Sequence, residues 1–442
     1  MKEVTKQFAS VFQFRKVSAF NYFCHPMKLP LLLVFTFCAH LSGYSEAGRI
    51  VKGELDLSNW DPHRESVVPL TGEWRFYWLD LLTTDQLDQN PFSFAQLSIP
   101  WNEQLIDGKT LPNVGYATYA LRIKLPADLT EVAFEVPAVF NCYSFWINDK
   151  LICASGQVGS SPDKTIPRWK PNTVLVKVPA QTIHVVFQIA NFQNTRGGCA
   201  EVMRIGEADH LIWLDGVYHT TGKTLVIFCA LLWLTGMIIF YYSRPVNILY
   251  FSFLSLAYML RFLFSDLYLA IDFGIDLPWI VAAKIEYATV PLIIITAAMF
   301  MGSIYPREFK KPAQVFFQIT SLVSLALIIF VPSGGLMPLL TFLQILGLFL
   351  AAYSAYSIVQ ALLINRSGAW ISALSMGAFV LVASYNIYAF IMVLDLNRTL
   401  IHAGYASALI LCAISLFYRT PLRLKTESNQ TLRYEDFFPA DK

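Results

Sequence analysis

Seven long apolar runs follow one another through the second half of the chain, and they limit what it can fold into. A helix needs about 20 mostly apolar residues to cross a bilayer, where it satisfies its own backbone groups. Residues 225–418 are therefore interpreted as a seven-helix transmembrane bundle rather than as buried helices of a soluble protein. The predicted spans are 225–242, 246–269, 278–301, 315–330, 337–363, 370–394 and 399–417.

Basic residues in the breaks between these runs predict the orientation, because positively charged loops stay in the cytoplasm. The even-numbered breaks contain one basic residue, Arg398, whereas the odd-numbered breaks contain five: Arg244, Arg307, Lys310, Lys311 and Arg366. The C-terminus is therefore expected in the cytoplasm. Everything before residue 225 is expected on the other side of the membrane.

The first 48 residues are interpreted as a signal peptide. Lys28 precedes the apolar run 29–41, and Ser45 and Ala47 resemble a cleavage site. The segment before this run is long for a leader, so Met27 is a candidate for the true start; an uncleaved anchor is the alternative. At the other end, residues 419–442 are expected to form a short cytoplasmic tail without an output domain.

Residues 49–210 are expected to form an all-β jelly roll or sandwich, joined to the bundle by a linker at 211–224. Apolar and polar residues alternate at 74–78, 117–125 and 183–189, as is typical of half-buried strands. Shorter candidate strands lie at 132–136, 143–147, 174–178 and 202–205. Asn148, Asp149 and Lys150 predict a hairpin turn.

Composition excludes several classes of function. Apolar residues make up 55% of the chain and charged residues 14%, and the formal net charge of +2 gives no argument for nucleic acid. No metal, cofactor or catalytic motif is recognised, so neither an enzyme nor a cofactor is expected. Cys229 and Cys412 are interpreted as packing residues. An oxidising compartment would permit one disulfide among Cys142, Cys153 and Cys199, without fixing the pairing.

Six residues of the β domain are candidate ligand contacts, because exposed aromatic rings can stack on sugars while Asn and Arg supply hydrogen bonds. They are Trp101, Asn102, Tyr116, Trp169, Asn191 and Arg196. For each residue taken alone, a role in the core or in pinning a loop is the more frequent alternative.

Two charged residues inside the runs predict an intramembrane ion pair. Arg261 lies eight residues from the outer end of the second span and Glu286 eight residues from the outer start of the third. At about 1.5 Å per residue, both are expected about 12 Å below the outer boundary. A structural pair is favoured over a signalling role. Lys284 is expected to extend to the outer surface.

The β domain carries a series of short motifs in a fixed order. They are Leu70-Thr71-Gly72-Glu73-Trp74-Arg75-Phe76-Tyr77-Trp78, Pro100-Trp101, Gly115-Tyr116-Ala117-Thr118-Tyr119, Trp146-Ile147-Asn148-Asp149-Lys150, Gly156-Gln157-Val158-Gly159, Asn191-Phe192, Gly197-Gly198 and Ile205-Gly206. With seven spans after them, residues 70–417 resemble the bacterial seven-transmembrane receptors with diverse intracellular signalling modules. The motif order is also similar to the galactose-binding-like jelly roll of beta-galactosidase-type enzymes.

The resemblance implies a receptor of the bacterial inner membrane whose periplasmic domain senses a ligand, with carbohydrate as a leading class. The bundle would drive a cytoplasmic signalling protein in trans, and a homodimer is compatible with this function. Two alternatives stay open: a membrane-anchored scaffold that binds envelope glycan or protein, and the sensor remnant of a longer cyclase or kinase receptor. A membrane enzyme or transporter has less support, because no catalytic group or polar midplane site was identified.

Overall fold

The computed structural model describes residues 48–139, 141–178, 180–199, 201–265, 267–392, 397–419, 424–425 and 431–432. The predicted signal peptide and the candidate start at Met27 lie outside these residues, as does most of the predicted tail. Within the tail, a short antiparallel pair is described, Leu424–Lys425 with Thr431–Leu432.

Thirteen strands form the domain that precedes the helices. They are β1 (Glu54–Asp56), β2 (Val67–Pro69), β3 (Trp74–Trp78), β4 (Ser93–Ala95), β5 (Leu105–Ile106), β6 (Lys109–Thr110), β7 (Gly115–Lys124), β8 (Glu131–Val136), β9 (Cys142–Ile147), β10 (Lys150–Ser155), β11 (Asn172–Lys177), β12 (Thr182–Asn191) and β13 (Arg204–Gly206). The larger sheet has the order β10-β9-β12-β7-β3-β4, with β1 parallel to the end of β7. The smaller sheet has the order β11-β8-β13-β2, and β5 and β6 form a separate hairpin.

The two sheets pack face to face over one apolar core, so the domain is a β-sandwich. Phe134 of β8 and Phe145 of β9 meet across the core with their ring centroids 5.3 Å apart. Val68, Val176 and Ile205 of the smaller sheet belong to the same cluster of buried side chains. The β domain predicted from alternating residues is therefore confirmed.

One strand departs from strict alternation, and its neighbours explain why. Thr118 and Ala120 of β7 point away from the core, yet both are buried. Thr118 Oγ1 donates to the carbonyl of Asp80 at 2.7 Å and accepts from the backbone N–H of Leu82 at 3.0 Å. The segment that includes the 3₁₀ helix Thr84–Gln89 thus covers the outer face of this sheet.

The predicted hairpin turn is confirmed. Asn148 and Asp149 have φ values of 45° and 62°, as a two-residue turn with both central residues in the left-handed region requires. The turn pairs Lys150 with Ile147 and joins β9 to β10.

Seven described helices follow the sandwich. They are α1 (Ala208–Ser243), α2 (Val246–Phe264), α3 (Trp279–Ile304), α4 (Lys311–Phe330), α5 (Ser333–Leu363), α6 (Ala369–Met392) and α7 (Arg398–Arg419). By length and composition, six of them could cross a membrane: α1 to α5 and α7. The sixth, α6, is apolar over Ala369–Tyr385. The order predicted from the sequence, a β domain followed by membrane-type helices, is confirmed.

The helices form a bundle in which consecutive helices pack on each other and α1 packs on α7. Helix α1 packs on α2 and α7, α3 packs on α2, α4 and α5, and α6 packs between α5 and α7. Five described cysteines are free thiols, and Cys229 and Cys412 are buried among the helices as expected. In the sandwich, burial raises the pKa of the Cys142 and Cys153 thiols to about 12.

The expected start and end of the linker, residues 211 and 224, are not boundaries in the structure, because both lie inside helix α1. Its 36 residues make it about 54 Å long, whereas the hydrocarbon core of a bilayer is about 30 Å thick. The segment 211–224, expected to be a linker, forms the first turns of this helix. Because these turns contact β8 and β11, the sandwich and the first helix are joined without a flexible connection.

Candidate functional site

The predicted ligand residue Trp101 is fully buried. Its indole Nε1 donates to the carbonyl of Pro112 at 2.9 Å, and its ring lies 5.3 Å from that of Trp78. Gly197 and Gly198 lie against the same ring, and a Cβ on Gly197 would collide with it. Trp101 therefore packs a loop in place and has no exposed face for a sugar.

Asn102, Asn191 and Arg196 hold that same loop. The Asn191 amide donates to the carbonyls of Asn113, Asn194 and Arg196 at 2.8–3.1 Å. Asn102 accepts from the N–H of Gly197 at 2.9 Å and donates to the carbonyl of Thr195 at 3.1 Å. Arg196 forms a two-point ion pair with Glu103 at 2.6 and 2.7 Å. The structure thus brings four of the six predicted residues together, in contacts that fix residues 191–198.

The other two predicted residues lie apart from this cluster. Tyr116 is half-buried near the start of β7, opposite Ala190 of β12. Trp169 is half-buried in the loop after β10, where it lines a cavity between the sandwich and the helices. Of the six, Trp169 is the one whose position faces open space at the junction.

This junction cavity has a volume of about 580 Å³, within the 300–1,000 Å³ typical of small-molecule sites. The sandwich contributes Gln157, Arg168 and Trp169 to its lining. The helical side contributes Trp279 and Glu286 from α3. With Asp276, which also lines it, the cavity therefore combines two indole rings with two carboxylates, a guanidinium and an amide.

Local backbone contacts fix the sandwich side of the cavity. Gly156 has a φ of +75°, which turns the chain after β10, and a Cβ there would strike the carbonyl of Ile166. Gln157 and Ile166 then exchange two backbone hydrogen bonds at 2.9 and 3.0 Å. Ser155 Oγ donates to the carbonyl of Arg168 at 3.1 Å. The loop that presents Arg168 and Trp169 is thus held at both ends.

An ion pair crosses the junction beside the cavity. Arg168 Nη2 lies 2.8 Å from Asp276 Oδ2, in the segment just before α3. Both side chains are about half exposed, and exposed pairs contribute about 0–1 kcal/mol. This contact therefore joins the sandwich to α3 weakly.

Glu286, one residue of the predicted pair with Arg261, lines the same cavity. Arg261 Nη1 is 3.4 Å from Glu286 Oε1, so the two charges lie at ion-pair distance. Lys284 instead donates to the carbonyl of Ile329 at the end of α4, at 2.6 Å. The depth of Arg261 was predicted from a helix end at residue 269, and that end is wrong, because α2 ends at Phe264. Arg261 is therefore in the last turn of its helix.

A second ion-pair network joins the sandwich to α7. Glu135 of β8 lies 2.6 Å from Arg204 of β13 and 3.3 Å from Arg398, the first residue of α7. The guanidinium of Arg398 also lies 5.6 Å from the ring of Tyr218 in α1. Burial alone would raise the pKa of the Glu135 carboxyl, but the two guanidinium groups outweigh it and the pKa is lowered.

Two further contacts fix α1 at the junction. Thr173 of β11 donates to Asp215 at 2.8 Å. One and two turns further along α1, His219 and Lys223 lie 2.7 and 3.1 Å from Asp272, in the 3₁₀ helix Leu269–Phe273 that follows α2. Helix α1 therefore contacts both the sandwich and the connection between α2 and α3.

Sequence reasoning missed Glu135, Arg168, Asp276 and Arg398 as junction residues. One signal was present in the sequence. Arg398 is the one basic residue in the even-numbered breaks, and the other charged residues of these breaks are all acidic. Its partner on β8 is separated from it by more than 260 residues, so spacing along the chain could not indicate the pair. The described residues contain no group of three or more His, Cys, Asp or Glu side chains that could hold a metal ion.

Comparisons with known proteins add little to this geometry. The sequence matches no protein-family model and no curated protein. It is similar to the structure of a GH2 beta-galacturonidase from Eisenbergiella tayi bound to galacturonate, with 13% identity, a TM-score of 0.23, and coverage of 32% of this chain and 24% of that one. Beta-glucuronidases from an uncultured Clostridium sp. and from Ruminococcus gnavus are similar with 13% identity and a TM-score of 0.24, over 31% of this chain and 28% of theirs.

This chain thus covers between 24% and 28% of the length of those three structures. TM-scores this low carry no argument about activity. The resemblance to the seven-transmembrane receptor family therefore stays a prediction.

Proposed function

We propose that the chain is a membrane receptor of bacterial signal transduction. The sandwich, as a galactose-binding-like jelly roll in the periplasm, would sense a ligand. The helices, as seven spans of the inner membrane, would pass the change to a cytoplasmic protein in trans. The charge asymmetry of the breaks and the order of the β-domain motifs support this proposal.

One observation carries the proposal: the sandwich is docked on separate helices around a cavity. Helix α1 leaves the sandwich without a linker. Glu135 is paired with Arg398 at the start of α7, and Arg168 with Asp276 just before α3. A change of shape in the sandwich would therefore displace three helices relative to one another.

The junction cavity is the site we assign to the ligand. A molecule held between Trp169 and the first turns of α3 would alter the spacing of Arg168 and Asp276. It would also reach Glu286, which pairs with Arg261 of α2. Indole rings together with planar hydrogen-bonding groups fit a sugar ring, so carbohydrate remains the leading ligand class.

A membrane-anchored scaffold for envelope glycan or protein is the alternative function. A scaffold requires the sandwich to bind but not to move the helices. The two functions therefore differ in whether a change at the junction reaches the far end of the bundle.

Spin labels at the far end test this difference. Tyr242 of α1 and Trp370 of α6 are both exposed near the ends of their helices remote from the sandwich. Cysteines at these positions would be labelled in the Cys153→Ser background, and their separation measured by double electron–electron resonance in nanodiscs. Arg398→Leu should shift the populations in the distance distribution, because it removes the contact between Glu135 and α7.

Arg122→Leu is the matched control, because it removes an arginine that pairs with Glu54 on the sandwich surface. It should leave the distances unchanged. If Arg398→Leu also leaves them unchanged in a folded protein, the sandwich is not coupled to the bundle. The scaffold function would then be favoured.

A further inference from the structure

A second cavity lies inside the helical bundle, away from the junction. Its volume is about 340 Å³, and its walls come from α2, α3, α5, α6 and α7. It extends from Tyr405, near the first turns of α7, to Ser415 and Tyr305 at the far ends of α7 and α3. The cavity therefore occupies the middle of the bundle and the half remote from the sandwich.

The walls of this cavity are apolar except for hydroxyl groups and one amide. Tyr258, Phe379 and Tyr405 form an aromatic cluster at one end, with ring centroids 5.7–6.2 Å apart. Ser354, Ser375 and Ser384 line the rest, with aliphatic side chains between them. None of the described lining residues is acidic, basic or a histidine. A charged ligand would have no counter-ion there, so the cavity suits a neutral molecule.

Gln344 contributes the amide group in the cavity wall. It lies eleven residues after the start of α5 and nineteen before its end, so it is about 16 Å, or three turns, from the nearer end of the helix. It is exposed in the cavity wall, and the structure gives its amide no hydrogen-bond partner among the described residues. An amide among apolar side chains is costly unless something supplies a partner.

We infer that this bundle cavity is a binding site for a neutral, membrane-soluble molecule with an apolar body and a carbonyl or hydroxyl oxygen that bonds Gln344. A phospholipid or fatty acid carries a charged group, for which the described lining offers no counter-ion. A neutral molecule dissolved in the bilayer core, of the chemical class of the quinones, carries carbonyl oxygens that can accept from the Gln344 amide. The inference is independent of whether the sandwich senses a ligand.

The test is saturable binding of tritiated decylubiquinone to the full-length protein in nanodiscs, with empty nanodiscs subtracted. Ala351→Trp should abolish the saturable part, because Ala351 lines the cavity and an indole would fill it. Ile345→Trp is the matched control, since Ile345 lies on the same helix, is exposed and is not in the lining. Gln344→Leu should weaken binding about fivefold, the loss of one hydrogen bond.

Two competitors distinguish a neutral quinone from a charged lipid as the ligand. Unlabelled decylubiquinone should displace the probe, whereas palmitate, which carries a charge, should not. The inference is overturned if the wild-type protein binds no more than empty nanodiscs. It is also overturned if Ala351→Trp and Ile345→Trp, both helical by circular dichroism and monodisperse, bind equally. Displacement by palmitate and not by decylubiquinone would assign the cavity to a lipid chain and reject the class proposed.

Discussion

Removing the Glu135 carboxylate should be among the most damaging single changes at the junction. Its side chain is 13% exposed, and those of Arg204 and Arg398 are 13% and 11% exposed. Glu135→Leu would leave two guanidinium groups side by side with little access to water. Removing one partner of a buried ionic group costs about 3–5 kcal/mol, so we expect a loss of that size in the free energy of unfolding.

Replacing Arg398 or Arg168 should lower the free energy of unfolding by less than replacing Glu135. The losses for Glu135 and Arg398 should not be additive. Arg398→Leu leaves Glu135 paired with Arg204 at 2.6 Å, so the expected loss is about 1.5–3 kcal/mol, the value of one hydrogen bond to a charged group. Because Glu135 and Arg398 share a network, the double variant should differ from the sum of the two losses by about 0.5–3 kcal/mol. Arg168→Leu removes a half-exposed pair and should cost less than about 1 kcal/mol.

The contribution of the Glu135 carboxylate to stability should decrease at acid pH. The pKa of Glu135 is below its ordinary value of 4.5, so its charge stabilises the folded protein above about pH 4.5. This contribution is lost as the pH falls through the folded-state pKa. The difference in stability between the wild type and Glu135→Gln should therefore shrink below about pH 4.5.

The assay is denaturation of the detergent-solubilised protein with increasing sodium dodecyl sulfate, followed by circular dichroism. Arg122→Leu, which removes an exposed sandwich pair, is the reference for a change of charge alone. If Glu135→Leu costs no more than Arg122→Leu, the carboxylate does not hold the junction. If the losses of Glu135→Leu and Arg398→Leu add within about 0.5 kcal/mol, the two residues are not coupled.

Two further predictions concern the bundle. Arg261→Leu and Glu286→Leu should each lower the melting temperature in detergent, and the double variant should recover most of the loss. Additive losses would show that the two residues act separately. Lys284→Leu is the control, since Lys284 donates to the carbonyl of Ile329 instead. A reporter that is active only in the periplasm should be active when fused after Gly206 and silent when fused after Lys425, and the reverse pattern would refute the orientation read from the charged breaks.

The sandwich was predictable where local rules decide the structure. Alternation identified β3, β7 and β12, and the left-handed preference of Asn and Asp identified the turn at 148–149. The burial of Thr118 and Ala120 was not predictable in the same way. It depends on a segment near residue 84 folding over the sheet, through hydrogen bonds to Thr118 and an apolar cluster of Leu82 and Leu87 with Ala120.

The candidate site was harder to predict, because the helix ends decide it. Apolar composition continues past Phe264, so the sequence predicts a second span that reaches residue 269, whereas α2 ends at Phe264. The true end is a turn followed by a 3₁₀ helix, which apolar residues can also form. Trp101, Asn102, Asn191 and Arg196 carry the chemistry of a sugar site, but residue types alone do not show that their hydrogen bonds are used within the loop.

The junction is unequal on its two sides, and this inequality matters for a receptor. On one side, α1 is continuous with the sandwich and the nearly buried Glu135 holds α7. On the other side, the half-exposed pair of Arg168 and Asp276 holds α3 beside the cavity. A ligand can shift an equilibrium only by its difference in affinity for two states, commonly a few kcal/mol. That amount exceeds the value of the exposed pair but not that of the buried network. In the proposed receptor, ligand binding would therefore move α3 more readily than α1 and α7, and the unequal costs expected for Arg168→Leu and Glu135→Leu test this asymmetry.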